Sequence, residues 1–216
     1  PYIASTFYAA DRYATFQTGY KKYYDEGGII LADRYTTSNM IHQAGKIKDD
    51  AEITIEVNPG TATKEKLETY KESGINRLSV GLQAVQDDIL KKIGRIHTYQ
   101  DFLDTYNYAR DVGFSNINVD LMIDLPDQTL DNVKESVKEI IRLKPEHISV
   151  YSLILEKNTR MYEMIASKVV EIAPEDIERQ MYWYVKKTLE KHNYMQYEIS
   201  NFAKPGFESR HNMDCW

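Results

Sequence analysis

Short runs rich in Ile, Val and Leu recur along this chain, and stretches with helical periodicity lie between them. That alternation limits the fold more than any other feature. Ile29-Ile30-Leu31-Ala32, Ile53–Val57, Leu78–Leu82, Ile117–Met122 and Ile148–Leu153 read as strands, each short and apolar as buried parallel strands are. A helical pattern runs from about Thr63 to Ser73 and stops at Gly74, and another runs from Thr98 to Val112 and stops at Gly113. A third starts near Thr129, with Val133, Val137, Ile140 and Ile141 on one face and Pro145 soon after. Ile177, Met181, Tyr184 and Leu189 mark a further amphipathic helix, with Pro174 in its first turn. Ser and Thr at the starts and Gly or Pro at the stops supply the cap chemistry. Repeated β-α-β order predicts an α/β fold: a mostly parallel sheet of about five strands with right-handed crossovers, open or as a partial (β/α) barrel.

The chain has 216 residues, enough for one large or two small domains, and its hydrophobic content of 42% is that of a globular protein. Residues 1–50 carry equal numbers of acidic and basic side chains, so the whole net charge of −6 falls in residues 51–216. That distribution argues against a nonspecific nucleic-acid surface, which needs a basic stripe. No apolar run approaches the length of a membrane span, so a cytoplasmic protein with small-molecule partners is expected. The opening Pro1-Tyr2-Ile3 has no initiator Met, which suits a fragment. The single cysteine, Cys215, excludes an intrachain disulfide and a cysteine-only metal site.

Polar residues sit late in the apolar strands or just past them: Glu56, Gln83, Asp120 and, less clearly, Tyr151. Ligands of barrels and open α/β sheets bind at the carboxyl ends of the strands. A carboxylate there needs a donor, a cation or a wet cavity. These positions are therefore either a ligand site or a structural network closed by Arg77, Arg95 or Lys side chains.

Several blocks carry a family likeness. They are Ile53–Pro59, Gly74–Gln83, Gly94-Arg95-Ile96-His97, Asn118–Met122 with Leu125-Pro126 and Gln128-Thr129, Pro145–Leu153, and Tyr197–Ala203. In order and spacing, residues 51–216 resemble the oxygen-independent coproporphyrinogen III oxidase-like group of radical-SAM proteins, nearest its HemW-type heme chaperones. The resemblance implies that Glu56, Gln83, Arg95 and Asp120 contact S-adenosylmethionine. Carboxylates and an amide suit ribose hydroxyls and an amino group, and a guanidinium suits the methionyl carboxylate. Arg210–Trp216 resembles the His-Asn-x-x-Tyr-Trp element linked to heme, with His211 as the axial-ligand candidate and Cys215 in place of Tyr. A proximal His needs a surrounding pocket, so heme binding by this chain alone is not expected. Asp124 stands where relatives carry Gly at a tight strand exit, and is expected to crowd the ligand or add charge beside Asp120. The family also implies a 4Fe–4S cluster held by Cys-x3-Cys-x2-Cys. One cysteine cannot supply three thiolates, so no cluster is expected on this chain.

Thr6–Arg12 and Ile30–Asn39 resemble the nucleoside-monophosphate site of thymidylate kinase. That likeness implies Tyr8 stacked on thymine, Arg12 on its carbonyl, Asp33 and Arg34 at the metal–phosphate region, and Asn39 at the base. The residues alone also allow an amphipathic helix and a strand-end ion pair. The Gly-x4-Gly-Lys-Ser/Thr phosphate loop is not in these residues, so no phosphoryl transfer is expected. Two parts are thus expected: a kinase-like helix-strand-helix segment at 1–50, and an incomplete radical-SAM partial barrel at 51–216. The resemblance implies a fragment, inactive by itself, of a radical-SAM coproporphyrinogen III oxidase-like or heme-chaperone protein, a family that handles S-adenosylmethionine and heme in tetrapyrrole metabolism. A thymidylate-kinase fragment and a non-functional chimera are the alternatives. No catalytic residue and no metal ligand is assigned, and whether the chain is an enzyme is left open.

Overall fold

The structure, a computed structural model, describes residues 51–214. The expected strand at 29–33, the kinase-like residues Tyr8, Arg12, Asp33, Arg34 and Asn39, and Cys215 lie outside them. In chain order the elements are β1 (Thr54–Val57), α1 (Lys64–Glu72), β2 (Arg77–Gln83), α2 (Asp87–Lys92), α3 (Tyr99–Asp111), β3 (Ile117–Ile123), α4 (Leu130–Leu143) and β4 (His147–Ser152). They continue with α5 (Arg160–Ala166), α6 (Glu175–Lys191), β5 (Met195–Glu198), β6 (Asn201–Ala203) and α7 (Arg210–Asp214). One sheet has the order β1-β2-β3-β4-β6-β5. The first four strands are parallel, and β6 pairs antiparallel with both β4 and β5.

The helix boundaries follow from cap chemistry. Thr98 and Thr129 each accept a bond from the third helical residue, Asp101 or Asn132, whose side chain reaches back to the cap. Thr63 caps α1 through the Lys66 N–H. Gly113 follows α3 at φ +94°, a conformation that costs a glycine nothing. Pro174 is the N-cap of α6, one residue before the first turn.

The two faces of the sheet differ in chemistry. On one face Leu78, Val80, Leu82, Ile117, Val119 and Ile148 are fully buried against Leu67, Phe102, Val133, Ile140, Met181 and Leu189 of the helices. Each such side chain contributes about 1.5–3 kcal/mol by leaving water. The other face carries Thr54, Glu56, Arg77, Ser79, Gly81, Asn118, Asp120, His147, Ser149 and Asn201. Their strict alternation with the apolar set is the period of two expected of strands. A parallel sheet with helices on one side and polar groups on the other has the organisation of an opened (β/α) barrel. Among the described residues no helix is long and apolar enough to cross a membrane.

Candidate functional site

Four strands bring their carboxyl ends to one rim of the sheet. β2 ends in a tight turn: the Ala84 N–H donates to the Leu82 carbonyl at 3.0 Å, with Gln83 between them at φ +72°. A three-residue turn of that hand is rare and strained for a side-chain-bearing residue. It displaces the register between Gly81 and Gln83 and buries the Gln83 amide over Gly81. A methyl group at Gly81 would stand only 3.0 Å from Gln83 Nε2. His97 holds the turn from behind, its Nε2 3.3 Å from the Leu82 carbonyl.

Gly81 is level with Asp120 on β3 and Gln83 with Leu121, and the Gln83 amide, lying over Gly81, is on the polar face that Asp120 shares. The Asp120 oxygens accept from the Asn118 amide at 2.7 Å and from Ser79 Oγ at 3.3 Å. Burial raises the Asp120 pKa most. These two bonds pull it down, the charge of Glu56 pushes it up and Arg77 lowers it. Glu56 on β1 is exposed toward the same space. Arg95, in the loop before α3, reaches across to β1, where its Nη1 donates to Asn58 Oδ1 at 3.2 Å. Glu56 and Asp120 therefore share the polar face with Gln83 at the end of β2, and Arg95 lies beyond the end of β1.

Below the rim lies a polar cavity of about 380 Å³ lined by Glu52, Thr54, Glu56, Arg77, Ser79, Asn118, Ser149, Tyr151, Asn201, Ser209, His211 and Asn212. Arg77 is only 5% exposed. Its Nη1 reaches Thr54 Oγ1 at 3.4 Å, and its Nε has no hydrogen-bond partner among the described residues. His211 sits on α7 at the cavity mouth with its side chain exposed. A heme role for His211 rests on the sequence likeness alone.

Asp124 differs from expectation. It takes the left-handed backbone at φ +59° as a glycine would. Its carboxylate accepts from the Ala173 N–H at 3.2 Å and faces Glu178, so it is engaged with α6 rather than set beside Asp120. The polar residues Arg77, Ser79, Asn118, His147, Ser149 and Asn201 were not identified as site residues from sequence. Their signal was present in the alternation of polar and apolar residues within β2, β3 and β4.

Residues 11–140 match the Radical SAM superfamily. The heme chaperone HemW of Bacillus subtilis (strain 168) is 44% identical over 179 residues, which covers 82% of this chain and 47% of that protein. The mitochondrial radical S-adenosyl methionine domain-containing protein 1 of Danio rerio is 35% identical over 197 residues, covering 90% of this chain and 45% of that protein. Among solved structures, the radical-SAM coproporphyrinogen III oxidase HemN of Escherichia coli superposes with a TM-score of 0.69 at 23% identity, covering 82% of this chain and 41% of that one. That likeness carries the fold alone. The chain spans about half the length of the curated relatives it matches. The superfamily match and the Danio rerio alignment both enter the first fifty residues and lend no support to the thymidylate kinase reading.

Proposed function

Because the chain belongs to the radical SAM superfamily, we propose that residues 51–214 carry the barrel half that grips S-adenosylmethionine, with Glu56, Gln83, Arg95 and Asp120 as its contacting side chains. The observation that carries this reading is the placement of Asp120, Gln83 and Glu56 on one polar face of neighbouring strands, with the Gln83 side chain set by a strained turn. The carboxylates of Asp120 and Glu56 accept from ribose hydroxyls, and the Gln83 amide both donates and accepts. Arg95 exchanges its neutral partner Asn58 for the methionyl carboxylate, a charge-assisted bond roughly twice as strong. Arg77 beneath the site supplies positive potential that favours the ionised form of Asp120. Bound S-adenosylmethionine brings a sulfonium with reactive S–C bonds.

A 4Fe–4S cluster does not fit these 216 residues. It needs three thiolates, and the sequence holds one cysteine. The function proposed for this chain is therefore ligand binding. The experiment is a comparison of S-adenosylmethionine with 5′-methylthioadenosine, which lacks the amino-acid end. The intact chain should prefer the full ligand, and Arg95→Ala should abolish the preference while leaving the weak nucleoside binding. Equal loss of both ligands in Arg95→Ala would remove Arg95 from the carboxylate role.

A further inference from the structure

Both oxygens of Asp120 already accept a hydrogen bond, and the donor to one of them is itself held in place. The atom of Asn118 that faces the Asp120 carboxylate must be the amide nitrogen. Its two hydrogens go to Asp120 Oδ1 at 2.7 Å and Ser79 Oγ at 2.8 Å. That leaves Asn118 Oδ1, an acceptor, 2.6 Å from His147 Nδ1 and 3.1 Å from Ser149 Oγ. An amide oxygen cannot donate, so His147 Nδ1 carries the hydrogen. His147 Nε2 is then the acceptor and takes the single hydroxyl hydrogen of Tyr197 at 2.7 Å. The Tyr197 oxygen in turn accepts from the Ser209 N–H at 3.2 Å and the Asn212 amide at 3.1 Å. His147 is fully buried and stays neutral. One proton assignment satisfies the whole chain from Asp120 to α7.

We propose that Asn118 is a positioning residue for Asp120 and that His147, locked as its Nδ1–H tautomer, fixes the orientation of the Asn118 amide. Turning the amide over would set its oxygen against the Asp120 carboxylate and its N–H₂ against the His147 N–H. Each reversal leaves buried polar groups unpaired. The locked amide leaves the remaining Asp120 lone pairs turned to the rim. The other ionisable groups facing Asp120 are Glu56 on β1, Arg77 on β2 and Tyr151 on β4. The role in ligand binding rests on the S-adenosylmethionine reading, whereas the state of Asp120 does not.

The test uses the 216-residue chain. Carboxyl ¹³C NMR follows Asp120 through a pH titration, and imidazole ¹⁵N NMR reports the His147 tautomer, both without ligand. His147 should show the neutral Nδ1–H signature from pH 5 to 8. Asn118→Ala and His147→Leu should each move the Asp120 midpoint upward. His147→Asn keeps an N–H near the Nδ1 position and should restore it. Should His147→Leu fail to fold, Asn118→Ala alone decides the matter. An Nε2–H tautomer, or an Asp120 midpoint unmoved in Asn118→Ala, overturns the proposal. S-adenosylmethionine titrations run in parallel, and Asn118→Ala should weaken binding several-fold. Expected NMR behaviour with no binding in any variant would sink the ligand reading and leave the positioning of Asp120 standing.

Discussion

Asp124 and His147 carry opposite pH signatures, and both are testable one residue at a time. Burial, helped by the charge of Glu178, pushes the Asp124 carboxyl up to about 6, although the Ala173 N–H opposes the shift. Its folded pKa therefore exceeds its unfolded value. Its contribution is complete below pH 4 and is lost as pH rises through 6. Asp124→Asn keeps the acceptor for Ala173 and removes the buried charge. It should be neutral at pH 4 and stabilising at pH 7 in urea unfolding. An equal effect at both pH values contradicts this account. His147 runs the other way. Burial first, then the Arg77 charge, depresses its pKa to about 3. The stability it contributes is present above pH 6.5 and is lost at up to roughly 1.4 kcal/mol per pH unit as pH falls toward 3. His147→Asn should flatten that acid limb, and an unchanged limb would show that His147 titrates normally.

At the level of elements, the helices with strong caps are the ones that sequence defines best. Thr129→Ala removes one half of a capping box and should cost about 1 kcal/mol with no change in the site. Gly81→Ala should do the reverse. Its methyl would press on Gln83 Nε2, so stability should barely change while S-adenosylmethionine binding falls. Normal binding by Gly81→Ala would separate Gln83 from the ligand. Four parallel strands and four helices were legible because each has an apolar face of the right period and Thr, Gly or Pro at its ends. The β5–β6 hairpin was not. Met195-Gln196-Tyr197-Glu198 and Asn201-Phe202-Ala203 are too short for periodicity, and tertiary pairing with β4 determines them. The short helices α2, α5 and α7 escaped for the same reason. Reading β2, β3 and β4 as uniformly apolar strands hid the polar inner face, because Arg77, Ser79, Asn118, His147 and Ser149 alternate with the residues that were counted. Glu56, Gln83 and Asp120 stand out in the sequence because a charge or amide within an apolar strand is costly without a partner.

For the whole molecule, the two-faced sheet explains how a chain half the length of its relatives can still hold a continuous polar face opposite its core. Helices cover the apolar face, and the polar face is sustained by hydrogen bonds between β2, β3, β4, β5, β6 and α7. Cluster chemistry is a separate matter. Anaerobic reconstitution of this chain with iron and sulfide should give no stoichiometric 4Fe–4S absorption, since one thiolate cannot hold it. A stoichiometric chromophore would contradict that reasoning. Binding of S-adenosylmethionine by Glu56, Gln83, Arg95 and Asp120 is the proposal on which the rest depends. Its most direct measurement is ligand-observed NMR with calorimetric titration of the wild-type chain, Asp120→Ala, and the surface control Lys134→Ala. The account predicts weak saturable binding, on the order of millimolar, that Asp120→Ala abolishes and Lys134→Ala leaves intact. No saturable binding by the folded wild-type chain, or binding that survives Asp120→Ala unchanged, would contradict it.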